Sequence, residues 1–526
     1  MRAAYPPSTP MPRGFGKPPR RDNRPSTAMA QAAELLDLGL VLHRQGRLAE
    51  AIVRYGQALD FQADYVEAHF ALGLALQARG EGEEAIHHFQ RAIELRSYYT
   101  DAHFALGTAL QEQRDFEGAL GCYQRTLAIE PEYVKAHNNL GAVQRELGNL
   151  DDAIASYRRA LALEPDYLEA HNNLGVVLRE RGQLEEAALC FKRAFQLQPD
   201  FAEAYYNLGL LLHSQQKLAE AISVYRTALI IKGDLVEARV NLAHALQASG
   251  QGDAAIEEHR RAVELAPALA EAHCGLGNAL RDAGRLAEAA ECYAEALRLK
   301  PDYAEARHYL AAVGGAPTPA MTDPDYVAAL FDEYAERFDR HLTGELAYRA
   351  PELLVGAVQA ATPHTEGLLN VLDLGCGTGL CGPLLRPLAQ RLVGMDLSAK
   401  MIGKARARGV YDDLAVGEMT EWLGRHHDAF DLIVAADVFT YVGDLAAVFA
   451  AAALTLVPGG VLACSVEAGE AGYTLLPNGR YAHALDYVHK EAAAAALVAV
   501  STERAILRTE RGRAVEGWIV VLRSLR

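Results

Sequence analysis

The residues best suited to chemistry lie in the C-terminal part of the chain. Asp373-Leu-Gly375-Cys-Gly377-Thr-Gly379 closes one apolar run, and Asp396 closes the next, 17 residues after Gly379. Glycines at a strand end let a ligand approach the backbone, and a carboxylate at the neighbouring strand end accepts ribose hydroxyls. The overlapping string Gly377-Thr-Gly379-Leu-Cys-Gly382 also satisfies the dinucleotide fingerprint, but its first glycine falls two residues past the strand end instead of at it. A second cluster, Gly479-Arg480-Tyr481-Ala-His483, gathers a cation, a phenol and an imidazole in five residues. Arg480 can clamp a carboxylate and His483 can accept a proton; the competing reading is that these residues hold a covering loop against the body. Tyr334 and Phe338, one helical turn apart, either cover the ligand or pack inside a helix. The pair His426-His427 sits at an expected helix end, where interaction with the helix dipole accounts for it.

These groups need a scaffold that ends several strands at one edge. From Pro324 the sequence reads as two helices, about 324–341 and 346–360, followed by short apolar runs alternating with helical segments. The expected strands are 369–374, 391–396, 414–417, 430–436, 460–466, 504–510 and 517–523, the last two forming a hairpin. This alternation predicts an α/β, doubly wound, Rossmann-like domain over 324–526, with a mostly parallel sheet covered on both faces.

The region before it has another grammar. Gly39, Gly73, Gly107, Gly141, Gly175, Gly209 and Gly277 fall on a 34-residue grid, with Ala243 in the remaining slot. Twelve residues after each grid point stands an alanine, and four later a ring: Tyr55, Phe89, Tyr123, Tyr157, Phe191, Tyr225 and Tyr293, with His259 as the exception. Small residues let two antiparallel helices approach, while the ring and a leucine before each grid point fill the space between pairs. The grid predicts an all-α solenoid of eight units over 32–303, then a cap helix and linker over 304–323. Residues 1–31 contain seven prolines and little apolar material, which predicts a disordered arm.

Two further series ride on the grid. His69, His103, His137, His171 and His273 recur once per unit, a spacing that suits interhelical packing and not a metal site. Asn139, Asn173, Asn207 and Asn241 would line up as a ladder of amides, with Asn138 and Asn172 beside the first two. Such a ladder can bind a peptide backbone or cross-link neighbouring helices.

The grid residues resemble the tetratricopeptide repeat family, whose solenoids bind extended peptides or proteins on their concave face. The asparagine series resembles the ladder in the repeats of the protein O-linked N-acetylglucosamine transferase family. Residues 373–379 resemble the first motif of class I S-adenosylmethionine-dependent methyltransferases. Asp396 matches their ribose-binding acid, Glu418 their adenine-contacting acid, DLIVAADVFTY (431–441) their fourth-strand motif and LVPGG (456–460) the turn before their fifth strand. The stretch FDEYAERFDRHL (331–342) is similar to that of bacterial methyltransferases carrying tetratricopeptide repeats. The resemblance implies an S-adenosylmethionine site at Asp373, Gly375, Gly377, Gly379, Asp396, Leu397, Glu418, Met419 and Asp437. In that family the glycine loop is structural, so Cys376 and Cys381 are not nucleophiles. Arg480, Tyr481 and His483 then become the acceptor-side candidates for catalysis.

Composition narrows the remaining classes. Half the residues are hydrophobic and 23% are charged, which is globular composition. Residues 1–30 carry six Lys/Arg against one Asp, so the overall −17 leaves −22 for the rest, which argues against nucleic acid as a partner and favours basic ones. Seven cysteines without a CxxC pair support neither a disulfide framework nor a zinc site. No apolar run reaches the ~18–20 residues of a membrane span, and no secretory signal is apparent, which predicts a cytoplasmic protein. The expected function is methyl transfer with the repeats recruiting a protein partner or substrate. The alternatives are an interaction scaffold with a non-catalytic cofactor-binding domain, and a methyltransferase acting on a small molecule.

Overall fold

The computed structural model describes residues 27–362, 366–510 and 512–526. Most of the arm expected over 1–31 lies outside the described residues, and Thr27 opens the first helix. Eight antiparallel helix pairs follow, from Thr27–Arg44 with Leu48–Phe61 to Ala270–Asp282 with Leu286–Leu299, and then a cap helix, Ala304–Ala312. The chain divides into two compact units between Lys232 and Gly233. Six pairs belong to the first unit; the last two pairs, the cap helix and the sheet domain form the second.

Each grid glycine faces the ring sixteen residues later. A Cβ on Gly39 would stand 2.5 Å from Tyr55, and one on Gly175 2.6 Å from Phe191, so only glycine admits the ring at that depth. The two sequence exceptions are partners by the same spacing: Ala243 has a Cβ where the others have none, and the ring sixteen residues on is the smaller His259. The grid histidines also have a common task. His69, His103, His137, His171 and His273 each donate from Nε2 to the carbonyl six residues earlier, at 2.8–3.0 Å, and so pin the turn that joins one pair to the next. Arg239 and Arg307 reach the same carbonyl position from their own slots in the series.

The asparagines bond to one another across repeats. Asn173 Nδ2 donates to Asn138 Oδ1 at 3.1 Å and Asn207 Nδ2 to Asn172 Oδ1 at 2.9 Å. Asn139 donates to the Tyr123 hydroxyl, and Asn241 to Glu237 of its own helix.

In the second unit the sheet strands are β1 (Leu369–Leu374), β2 (Ala389–Asp396), β3 (Asp413–Val416), β4 (Phe430–Ala435), β5 (Leu456–Ala468), β6 (Tyr473–Leu475), β7 (Tyr481–His483), β8 (Leu497–Glu510) and β9 (Arg513–Ser524). Parallel pairing gives the order β3-β2-β1-β4-β5; β9 runs antiparallel on β5 and carries β8, while the small β7–β6 hairpin pairs at the end of β5. The strand β7 occupies part of the stretch expected as a loop, because three residues carry too little periodicity to announce themselves. Alternating apolar residues from both faces are fully buried, Leu372, Ile433 and Leu462 toward one set of helices and Val371, Leu432 and Val461 toward the other. All five parallel strands therefore end at one edge, where β1, β2, β3 and β4 bring their terminal residues together.

The connection between the cap helix and the sheet domain is fixed in place. Thr322 N–H donates to Tyr441 O, Gly443 and Asp444 N–H both donate to Ala320 O, and the Tyr481 hydroxyl donates to Pro319 O. The leading helix runs from Pro324 to Tyr334, capped by Asp323, and breaks before a short turn at Phe338–Arg340 where the sequence predicts one continuous helix.

Candidate active site

The strand ends surround a cavity of about 520 Å³. After β1, Gly375 adopts φ +68°, and a Cβ there would meet Val438 at 2.5 Å, so the loop can turn under the residues that follow β4 only as glycine. Gly377, at φ +55°, lines the cavity, and its N–H donates to Asp396 Oδ2 at 2.9 Å. Asp396 Oδ1 accepts from Ser398 N–H, also at 2.9 Å. Burial raises the Asp396 pKa against these hydrogen bonds, which lower it. Gly379 packs on Tyr411 and does not line the cavity.

Asp373, expected at the cofactor, stands behind it. It is 1% exposed, accepts from the Tyr411 hydroxyl at 2.6 Å, and burial pushes its pKa up to about 7. It is a support of the loop and not part of the cavity wall. Burial likewise pushes up the Cys376 and Cys381 thiols, which keeps them protonated.

After β3, Glu418 caps the helix Met419–Leu423, its Oε2 accepting from Glu421 N–H at 2.7 Å. Its Oε1 is buried with no hydrogen-bond partner among the described residues, in the wall of the same cavity. A buried carboxylate oxygen without a donor is costly, so the site has a place for an N–H or O–H from a ligand. Leu397 and Met419 line the cavity beside these acids. The acceptor set fits a nucleoside: hydroxyls donating to Asp396, a ring amine donating to Glu418, and apolar side chains between.

The stretch 331–342 forms the lid. Phe331, Tyr334, Phe338 and Leu342 line the cavity, while Asp332, Glu336 and Asp339 point the other way. Asp332 accepts from Ser398 Oγ at 2.5 Å and Lys400 N–H at 3.1 Å, Glu336 pairs with Lys404, and Asp339 binds Arg408 and Thr378. Tyr334 and Phe338 thus both cover the cavity and pack edge to face on each other, with ring centroids 5.2 Å apart.

After β4, Asp437 has φ +56°, an uncommon conformation for a residue with a side chain. Ser465 Oγ accepts from its N–H at 2.8 Å and donates to its Oδ1 at 3.0 Å, and Arg508 holds its Oδ2 at 2.7 Å. Arg508 is 2% exposed and also binds Glu467 and Glu510, the latter shared with Arg480. Arg508 and Glu467 carried no sequence signal, since Glu467 is the one charge of β5 and Arg508 is one of four charged residues in β8, with nothing in the spacing to set it apart.

Of the three acceptor-side candidates only Arg480 lines the cavity. Tyr481 is buried with its hydroxyl on Pro319 O. His483 is fully buried, its Nε2–H donating to Val442 O at 2.9 Å and Gly443 O at 3.1 Å. Burial lowers its pKa to about 4, so it stays neutral as a structural clasp. The expectation that Tyr481 and His483 face an acceptor is corrected: the two-residue period of β7 sends both to one face, where Tyr481 packs against the cap helix and Pro319 and His483 against Val442 and Gly443.

Residues 372–464 match a family described as "Methyltransferase domain". Matches to "TPR repeat" cover 39–80, 177–216 and 277–313, and matches to "Tetratricopeptide repeat" cover 66–98, 104–167, 143–194, 202–234 and 236–269. The chain carries tetratricopeptide repeats followed by a methyltransferase domain. Malonyl-(acyl-carrier protein) O-methyltransferase of Yersinia pestis is 31% identical over 163 residues, 31% of this chain and 57% of that protein. Ubiquinone biosynthesis O-methyltransferase of Chelativorans sp. is 36% identical over 108 residues, 20% of this chain and 42% of that protein. The chain therefore spans about half the length of these relatives. A crystal structure of the MamA protein is 25% identical, with 33% of this chain and 94% of that chain covered at a TM-score of 0.31. Among the described residues no helix is long and apolar enough to cross a membrane, and no group of His, Cys, Asp or Glu is arranged for a metal ion.

Proposed function

We propose that the protein is an S-adenosylmethionine-dependent methyltransferase whose repeats bind a protein partner or a protein that carries the acceptor. The observation that supports this reading best is the unpartnered Glu418 Oε1 in the same cavity as Asp396 and Gly377. Glu418 and Met419 would hold the adenine, Asp396 and Leu397 the ribose, and Gly375, Gly377 and Asp437 the remainder. The cofactor supplies an activated methyl group with its own leaving group. The chain's task is then to orient the acceptor, exclude water and position charge. The lid rings exclude water, and the Ser465–Asp437–Arg508 set fixes a carboxylate at the end of β4. The names of the relatives point to oxygen as the acceptor atom, and the Yersinia protein is named for a malonyl group on a carrier protein. A substrate delivered by a protein suits a methyltransferase with repeats. In the ladder, Asn173 and Asn207 each use one amide N–H toward the preceding repeat and keep a second for a peptide carbonyl, so Asn139, Asn173, Asn207 and Asn241 remain the proposed partner contacts.

The test is calorimetric titration of the full-length protein with S-adenosylmethionine and separately with NADH, repeated on Asp396→Ala. Selective binding of the sulfonium, weakened at least tenfold by the substitution, is expected. A folded protein that binds neither ligand would sink the enzyme reading and leave a scaffold.

A further inference from the structure

One wall of the cavity comes from outside the methyltransferase domain. His308 and Tyr309 of the cap helix line it, together with Tyr326 from the leading helix and Gly479 and Arg480 from the turn before β7. His308 Nε2–H donates to Gly479 O at 2.9 Å. The contact depends on glycine, since a Cβ at position 479 would stand 2.8 Å from the Tyr309 ring and 3.0 Å from His308 Nε2. The rings of His308 and Tyr326 lie 5.6 Å apart, and those of His308 and Tyr309 5.3 Å apart.

His308 is 6% exposed, and its Nδ1 is buried with no hydrogen-bond partner among the described residues. The bond to Gly479 O places the proton on Nε2, which leaves Nδ1 with a lone pair. Burial lowers the His308 pKa, which keeps the ring neutral. This wall therefore combines an acceptor awaiting a donor with tyrosine rings suited to an aromatic guest. Arg480 on the same wall disfavours an ammonium as that donor.

We propose that His308, Tyr309 and Tyr326 bind the methyl acceptor, an aromatic hydroxyl compound, with its O–H donating to His308 Nδ1 and its ring lying among the tyrosines. The last helix of the repeat region is then part of the acceptor site as well as a structural cap. This inference rests on the methyl-transfer reading.

The experiment uses full-length protein saturated with S-adenosylhomocysteine and titrated with p-cresol or with 4-methylanisole, the same ring without the O–H. Wild-type protein should bind p-cresol roughly fivefold more tightly, as one hydrogen bond to a buried group predicts. In His308→Gln the amide replaces the donor to Gly479, so melting temperature and S-adenosylhomocysteine affinity should hold while the preference falls to about onefold. Independently of any variant, the His308 Nδ1 resonance of ¹⁵N-labelled wild-type protein should shift with p-cresol and stay put with 4-methylanisole. Equal binding of the two rings, no p-cresol binding, a preference retained in His308→Gln, or a silent Nδ1 would each overturn the proposal. Failure of S-adenosylhomocysteine to bind removes the methyl-transfer reading itself, whereas its binding without discrimination between the rings removes only the acceptor assignment.

Discussion

At the scale of single residues, charge and protons are handled by burial. Backbone N–H donors hold the Asp396 and Glu418 side chains at the cavity, and burial raises the Asp396 pKa; Asp437 is held by the buried Arg508, which ties together the ends of β4, β5 and β8. The buried histidines have the opposite effect on stability as pH changes. His483 has a folded pKa of about 4 because burial disfavours its charged form, and His259 is lowered to about 3 for the same reason. In the unfolded chain both titrate near pH 6.5. The unfolded chain then gains a proton that the folded one excludes, so stability present above pH 6.5 is lost as pH falls toward 4. Each ring should remove about 3 kcal/mol over that window. Melting curves between pH 7 and 4 should show the decline, and His483→Gln, whose amide can still donate to Val442 O, should make it shallower. An unchanged slope in that variant would exclude His483 as a contributor.

At the scale of elements, seven of the eight helix pairs are set by one contact between a missing Cβ and a ring. Gly175→Ala pushes a methyl to within 2.6 Å of Phe191, which is 0% exposed and cannot move aside. The substitution should destabilise the first unit by about 1–3 kcal/mol in denaturant unfolding, as overpacking does. Adding Phe191→His copies the natural Ala243/His259 pair and should recover part of the loss. Additive losses in the double variant would show that the pairing of those two exceptions has no packing basis. The lid obeys similar logic: residues spaced three and four apart put rings on the cavity and acids on the helix Ala399–Ala407, so one short amphipathic stretch both covers the site and anchors the cover.

At the scale of the molecule, the division between Lys232 and Gly233 gives the sheet domain two repeats and the cap helix as neighbours in its own unit. A piece comprising residues 233–526 should fold and bind S-adenosylmethionine as the full chain does. A piece comprising 324–526 loses His308 and Tyr309, uncovers Gly479 and breaks the Pro319–Tyr481 and Ala320–Gly443 bonds, so it should melt at a lower temperature. Equal melting temperatures for the two pieces would count against a structural role for the cap helix.

The repeats, most of the strands and the glycine loop were legible in the sequence because each depends on local periodicity: a 34-residue grid, alternation of strand and helix, and glycines where φ turns positive after β1. The acids at the strand ends were legible for the same reason, since the strand that precedes each one fixes its place. What sequence could not decide was which side of the wall a residue faces. Asp373, Tyr481 and His483 carry the right chemistry and point into packed interior, while His308, 171 residues before Gly479, meets it only because the cap helix folds back on β7. Local spacing determines the element and its periodic face; the assignment of a face to cavity or core belongs to contacts between segments far apart in the chain, which the tertiary structure alone supplies.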